Sequence, residues 1–281
     1  MSVGIPAHNE AANIAGLLAD LSAQRLDGRS LEIVVVDDAS TDATRRIVEE
    51  HAARDPRVRL VAHPERRGST AGWNSVFAAC RGAVCVKLDG DVRVPQPDFL
   101  LRVERALALG DADLAYCRVV PREPPASFVQ RGSSFIYRYL AEQNRTGHAT
   151  SATLFAAMLA ATRRFYASYR IDEAVVANDY YTARYARSKG VGITIADDAV
   201  VTVRTARTVA DFRKQAQRFA SAHAQVDAIF GPERRSLASS APAILRLGAR
   251  DPLGFVSFLL LRRELRAGPT SPAWEQAAST K

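Results

Sequence analysis

The chain has 281 residues, 47% of them hydrophobic and 24% charged, which allows one large domain or two small ones with a real core and argues against wholesale disorder. Its net charge is +8, and only four of the 38 basic residues are lysines (Lys87, Lys189, Lys214, Lys281). An arginine- and alanine-rich composition reads first as base composition and second as attraction to anions, and no run of five or more like charges marks a polyelectrolyte tail.

In chain order, residues 3–5 suit a short strand and residues 6–10 a loop. Ile14, Leu17, Leu18 and Leu21 then fall at the spacing of one apolar helix stripe. Residues 31–36 form a β-branched run that stops at Asp37-Asp38, as a buried parallel strand does. Residues 40–44 offer helix-starting chemistry, and Ile47 and Val48 begin the next apolar face. A third strand is expected at 57–62, a helix at 70–79, and a fourth strand at 83–88 ending on Asp89. This βαβ rhythm predicts an open, mostly parallel α/β sheet with helices on both faces.

The second half is less regular. Residues 112–120 read as a strand closed by Pro121, and Phe128, Phe135, Ile136, Tyr139 and Leu140 share one helical face. A helix is expected over 175–187, strands over 191–195 and 199–203, and a long helix over 209–230. Beyond Gly231 the pattern loosens, and residues 270–281 read as a frayed tail. The organisation expected is one main domain over 1–230, in halves 1–120 and 121–230, followed by an extension over 231–281.

Cys80, Cys85 and Cys117 include no CxxC pair, so neither a disulfide framework nor a zinc site is expected, and a reducing cytoplasm fits. The opening MSVGIPAHNE lacks the apolar stretch of a signal peptide. The apolar run at 255–261 is far short of the roughly 20 residues that span a bilayer. With Ile244, Leu245 and Leu247 before it and Arg262-Arg263 after it, that run suits a segment lying at a membrane surface, giving a cytoplasmic protein with peripheral membrane contact. A C-terminal helix packed on the main domain is the alternative.

In an open parallel sheet, ligands bind beyond the carboxyl ends of the strands. Three polar clusters occupy such ends: Pro6 to Glu10, Asp37 to Asp42, and Asp89-Gly90-Asp91. Carboxylates gathered on one edge repel unless a cation or hydrogen-bond donors compensate. A divalent metal, Mn²⁺ or Mg²⁺, bridging Asp89 and Asp91 to a diphosphate would do so, since such ions take one or two carboxylates and fill their shell with phosphate and water oxygens. Asn9, Glu10, Ser40 and Thr41 also suit helix capping, and Trp73 with Phe77 reads as core. A dehydrogenase would show GxGxxG after the first strand, where PAHNE stands. A basic nucleic-acid module would show a basic stripe with interleaved aromatics, which is missing, so no nucleic-acid partner is expected.

The stretches VGIPAHNEAANIAGLL, EIVVVDDASTDAT, RRGSTAGWNSVFAACRGAVCVKLDGDVRVPQPDFL, VVANDYYTARYARSKG and QAQRF follow one another between Val3 and Phe219. In that order and spacing the chain resembles a family 2 glycosyltransferase of the GT-A fold. The resemblance implies an inverting enzyme that moves a sugar from a nucleotide-sugar donor, commonly UDP-linked, to an acceptor that the sequence does not identify. It implies that Pro6, His8, Asn9 and Glu10 line the nucleotide pocket, and that Asp37 or Asp38 accepts from the base or ribose. Arg67, Gly68 and Asn74 would flank base and diphosphate. Asp89 would lie near ribose and donor sugar, Asp91 would contact the metal, and Asp179 would be the general base. Gln215, Arg218 and Phe219 would match an acceptor-side QxxRW element. Two departures stand out: Asn178 where Glu commonly precedes the base, and Phe219 where processive members carry Trp. With no transmembrane segment following, transfer of single sugars is expected over polymerisation. A catalytically inactive nucleotide-sugar binder is the alternative that Asn178 keeps open.

Overall fold

The computed structural model describes residues 1–233 and 237–262. The half that the resemblance assigns to the nucleotide-sugar donor, hereafter the donor half, runs β1 (Ser2–Ala7), α1 (Ile14–Ser22), β2 (Glu32–Asp37), α2 (Thr44–Ala52), β3 (Val58–Ala62), α3 (Ser69–Ala79), β4 (Val84–Leu88) and α4 (Phe99–Leu109). The half that the resemblance assigns to the acceptor, hereafter the acceptor half, adds β5 (Leu114–Pro121), α5 (Phe128–Arg145), β6 (Met158–Thr162), α6 (Arg163–Tyr166), α7 (Asn178–Ser188), β7 (Ile193–Val203) and α8 (Val209–Phe230). Two further helices follow, α9 (Leu237–Arg250) and α10 (Pro252–Leu261).

The seven strands form one sheet in the order β3-β2-β1-β4-β6-β5-β7. β1 to β4 are mutually parallel, and β6 runs antiparallel to both β4 and β5. The pleat explains the burial. Ile33 and Val35 face one core with Val3, Ile5 and the α1 leucines, while Val34 and Val36 face the other with Trp73, Val76 and Phe77. A run apolar at every position is what a central strand covered on both faces requires.

Close packing of α3 on β1 brings the start of that helix to the strand ends. A Cβ on Gly4 would sit 2.1 Å from Val76 Cγ1, so only glycine lets the helix approach this closely.

Beyond α4 the chain departs from the sequence pattern in several places. β6 was not expected; it is an alanine-rich strand, MLAAT, held by ladders on both sides. The two strands expected at 191–195 and 199–203 are one bulged strand, β7, whose register against β5 shifts between Cys117 and Arg118. The extra residues of the bulge bend one strand where the sequence reads as two. The stretch beyond Gly231, expected to loosen, contains α9 and α10, and α10 is the packed helix given as the alternative to a membrane segment: it lies on α5 through Phe135, Phe255 and Phe258, with Phe135 to Phe258 ring centroids 5.3 Å apart. Arg263 and the expected tail at 270–281 lie outside the described residues. Among the described residues, no helix is long and apolar enough to cross a membrane.

Candidate active site

One cleft opens beyond the carboxyl ends of β1, β2 and β4. It is lined from the donor side by Pro6, His8, Glu10, Asp38, Gly68, Asp89 and Asp91 and from the acceptor side by Asp179, Gln215, Arg218 and Phe219. Residues from six elements or the turns after them thus meet in one place, although they span more than two hundred positions of the chain.

The first two loops are laced together. Asn9 and Ala39 both adopt left-handed backbone, φ 56° and 53°, which costs ordinary residues roughly 1–2 kcal/mol. The turns hold because the Asn9 side-chain oxygen accepts from the amides of Thr41 (2.8 Å) and Asp42 (3.3 Å), while the Asn9 amide donates to Ser40 Oγ (3.0 Å). Asn9 is therefore a staple between loops rather than a cap for α1. Glu10 is buried and accepts from Asn13 Nδ2 (2.9 Å). His8 Nδ1–H donates to the Asp38 carbonyl (2.8 Å).

Asp37 and Asp38 separate clearly. Asp37 is buried, accepts from the Ser40 amide (3.2 Å), and does not line the cleft. Asp38 does line it, and its carboxylate accepts from His63 Nδ1 (2.7 Å) and the amides of Arg67 (2.9 Å) and Gly68 (2.7 Å). Four lone-pair sites less three bonds leave room for one more donor. His63 also meets Ser75 Oγ through Nε2 (2.9 Å), fixing the carboxylate against α3.

Two residues expected at the base and diphosphate are committed elsewhere. The Arg67 guanidinium pairs with Glu173 (2.6 Å) at an exposed site, and its contribution to the loop is its amide. Asn74 donates to the Ile171 carbonyl (2.8 Å) and accepts from the Ile171 amide (2.9 Å), clamping donor half to acceptor half. Neither lines the cleft, whereas Arg66 does.

Asp89 and Asp91 flank a turn pressed against Glu10: a Cβ on Gly90 would stand 2.9 Å from Glu10 Cγ. The side chain of Asp89 is 40% exposed and belongs to the wall of the cleft. Enclosure by protein pushes its carboxyl above the usual carboxylate range; the Lys87 ammonium opposes that rise, Asp179 adds to it, and Arg218 opposes it. Asp89 thus lies within reach of charges on both walls of the cleft, Lys87 foremost. The backbone carbonyl of Asp91 accepts from Arg122 (2.7 Å). Among the described residues no three His, Cys, Asp or Glu side chains cluster as a self-sufficient metal cage. Two carboxylates in an open cleft fit a hard divalent ion that draws its remaining ligands from phosphate and water.

Asp179 stands in the first turn of α7, where it accepts from the Tyr180 amide (2.7 Å). Negative charge is stabilised at a helix N-terminus. Asn178 is buried and donates from Nδ2 to Ser69 Oγ (2.8 Å), fastening the start of α7 to the start of α3. On α8, Arg218 lies over the Phe219 ring (5.3 Å), and Phe219 meets Phe155 edge-on (6.1 Å). Phe155 in turn meets Tyr137 (5.9 Å), so an aromatic wall continues along the acceptor side. Trp73 and Phe77 are both core, although Trp73 also reaches the cleft.

Sequence reasoning missed His63, Lys87, Arg66, Tyr137 and Phe155. His63 follows directly on β3, so the strand-end rule applied to a fourth strand would have found it. Lys87 was visible as a lone charge inside an apolar strand.

The family model Glycosyl transferase family 2 matches residues 2–168. The chain is 42% identical over 107 residues to succinoglycan biosynthesis protein ExoO of Rhizobium meliloti, covering 38% of this chain and 29% of that protein. It is 35% identical over 108 residues to undecaprenyl-phosphate 4-deoxy-4-formamido-L-arabinose transferase of Pseudomonas aeruginosa, covering 38% of this chain and 32% of that protein. Each match thus spans less than a third of the relative. Among solved structures, the mannosyltransferase PcManGT from Pyrobaculum calidifontis, in complex with GDP-Man and Mn²⁺, superposes with a TM-score of 0.63 at 23% identity over 96% of this chain and 76% of that one. Glucosyl-3-phosphoglycerate synthase from Mycobacterium tuberculosis, in complex with Mn²⁺, UDP and phosphoglyceric acid, gives 0.59 at 20% identity over 83% and 79%. At these identities the likeness concerns the fold, which is GT-A.

Proposed function

The chain belongs to glycosyl transferase family 2, and on that premise we propose that it moves a sugar from a nucleoside diphosphate donor, UDP in our reading, onto an acceptor hydroxyl with inversion at the anomeric carbon. The observation that carries this reading is the meeting of Asp89 and Asp91 with Asp179 and Arg218 across one cleft.

The donor enters from the β1 and β2 side. Asp38, with one acceptor position left, takes a hydrogen bond from the base or ribose, beside Pro6, His8 and Gly68. Asp91, with Asp89, would hold a divalent cation, which when bound neutralises the diphosphate and so makes it a better leaving group. Arg218 adds positive charge from the opposite wall. Asp179 removes the proton from the acceptor hydroxyl as that oxygen attacks the anomeric carbon from the face opposite the diphosphate. The new glycosidic bond forms as the bond to the diphosphate breaks. Gln215, Phe219 and the aromatic wall orient the acceptor.

We also assign the C-terminal helices to a membrane surface. α10 is apolar on every side, and Leu253, Val256 and Leu260 are 65%, 49% and 47% exposed. A helix of ten residues is too short to span a bilayer, but an apolar face flanked by Arg250 and Arg262 suits the headgroup region. A relative whose name specifies undecaprenyl phosphate supports an acceptor carried on lipid.

Thermal denaturation with a panel of UDP-, GDP- and dTDP-sugars tests the donor. The true donor at 100 times its Kd with Mn²⁺ should stabilise the protein by about 2.7 kcal/mol, and Asp91→Ala should remove the metal-dependent part. Stabilisation by no nucleotide, or full stabilisation of Asp91→Ala in EDTA, overturns the reading. Binding without transfer would favour the inactive-binder alternative.

A further inference from the structure

Lys87 is the residue that neither the sequence motifs nor the proposed chemistry uses. It lies in β4, a central strand, with Gly4 of β1 on one side and Leu159 of β6 on the other. Its side chain is fully buried, a rare state for lysine unless its charge is paired. The ammonium has three N–H bonds, and three groups surround it. Asp89 Oδ1 is 2.5 Å away, the Ala156 carbonyl oxygen 2.7 Å, and the ring centroid of Trp73 4.0 Å. Two strong hydrogen bonds and one cation–π contact satisfy the ammonium at the floor of the cleft and commit it first to Asp89 and Ala156.

The arrangement has two consequences for the cleft. One oxygen of Asp89 is tied to the floor, so the carboxylate meets the donor with the other. The same nitrogen fastens Ala156, next to Phe155 of the aromatic wall, and the Asp89 amide donates to the neighbouring Ala157 carbonyl (3.1 Å). Donor floor and acceptor wall are thereby joined at a single buried point.

We infer that Lys87 is a positioning residue that turns Asp89 into a one-oxygen contact for the metal-bound diphosphate donor and fixes it relative to the acceptor wall. The inference rests on the functional reading above. A lysine serving only the fold would stabilise the sheet whatever stood at position 89. A lysine acting through Asp89 loses its influence on donor binding once that carboxylate is gone.

A double-mutant cycle separates these cases. Lys87→Met keeps the buried chain length without the donors. Its UDP affinity in Mn²⁺, measured by calorimetry, should fall by about 10–100-fold, the usual effect of removing a partner that orients a metal-site ligand. UDP affinity without metal should stay close to wild type. In an Asp89→Asn background the same Lys87→Met change should have little effect, and Lys87→Gln, which retains an amide donor, should fall between wild type and Lys87→Met. Equal losses in both backgrounds, or an equal loss of metal-free UDP affinity, overturn the inference. If Lys87→Met does not fold, Lys87→Gln in the two backgrounds decides by the same criterion. A wild-type protein that binds no nucleotide removes the functional reading and this inference together; a binding wild type with additive losses removes the inference alone.

Discussion

The donor half and the acceptor half solve different problems with the same sheet. In the donor half, β-branched strands are buried on both faces and their exit loops are tied to one another: Asn9 to Ser40, Thr41 and Asp42, and Asp38 to His63, Arg67 and Gly68. Polar side chains there hold backbone in place, including two left-handed turns. In the acceptor half, the strands include an antiparallel insertion and a bulge, the cleft wall is aromatic, and α10 leaves an apolar face uncovered among the described residues. The first arrangement fixes loop backbone through side-chain hydrogen bonds, and the second leaves apolar surface at the cleft and on α10.

The apolar face of α10 offers the largest break in that contrast. Replacing Leu253 and Val256 together with serine should weaken binding to anionic vesicles by about 3 kcal/mol, counting roughly 1.5 kcal/mol for each side chain withdrawn from the membrane. Donor affinity should be unaffected, and high salt should release the wild-type protein. Equal sedimentation of variant and wild type would show that α10 is not the membrane contact. A smaller loss, confined to the donor half, is expected from Asn9→Ala. It removes the acceptor of the exposed Thr41 and Asp42 amides, which water can then reach, and should lower stability by about 0.5–1.5 kcal/mol, read as a shift of the denaturant midpoint. An unchanged midpoint would mean that the loops do not depend on this staple.

The same contrast governs what the sequence revealed. Residues 31–36 announce a buried parallel strand because apolar β-branched residues occupy both faces, and the observed β2 lies one residue away from that reading. The long helix α8 matches its expected bounds, since twenty-two residues at one period leave little ambiguity. β6 was hidden because alanine and methionine have no strand preference; its two neighbours make it a strand. α10 carries no period because it is apolar all round, so the sequence offered a packed helix only as the alternative to a membrane-surface segment. At the cleft, the Asp89 and Asp91 pair is legible as a local signal at a strand end, whereas Asp179 enters only through the family resemblance. The different fates of Asp37 and Asp38, and the turning away of Arg67 and Asn74 to Glu173 and Ile171, depend on partners tens of positions distant. Lys87 is the sharpest case: its spacing from Asp89 is legible, but its partners Ala156 and Trp73 come together only in the folded chain.

The central claim is that one cleft divides its labour, with donor binding on the β1–β4 side and proton removal at Asp179. Asp179→Asn tests it most directly, because the substitution keeps shape and size while removing the base. Turnover should fall by about 10²–10⁴-fold, while affinity for UDP in Mn²⁺ stays close to wild type. Retained turnover, or a loss of UDP affinity in step with turnover, would contradict the account.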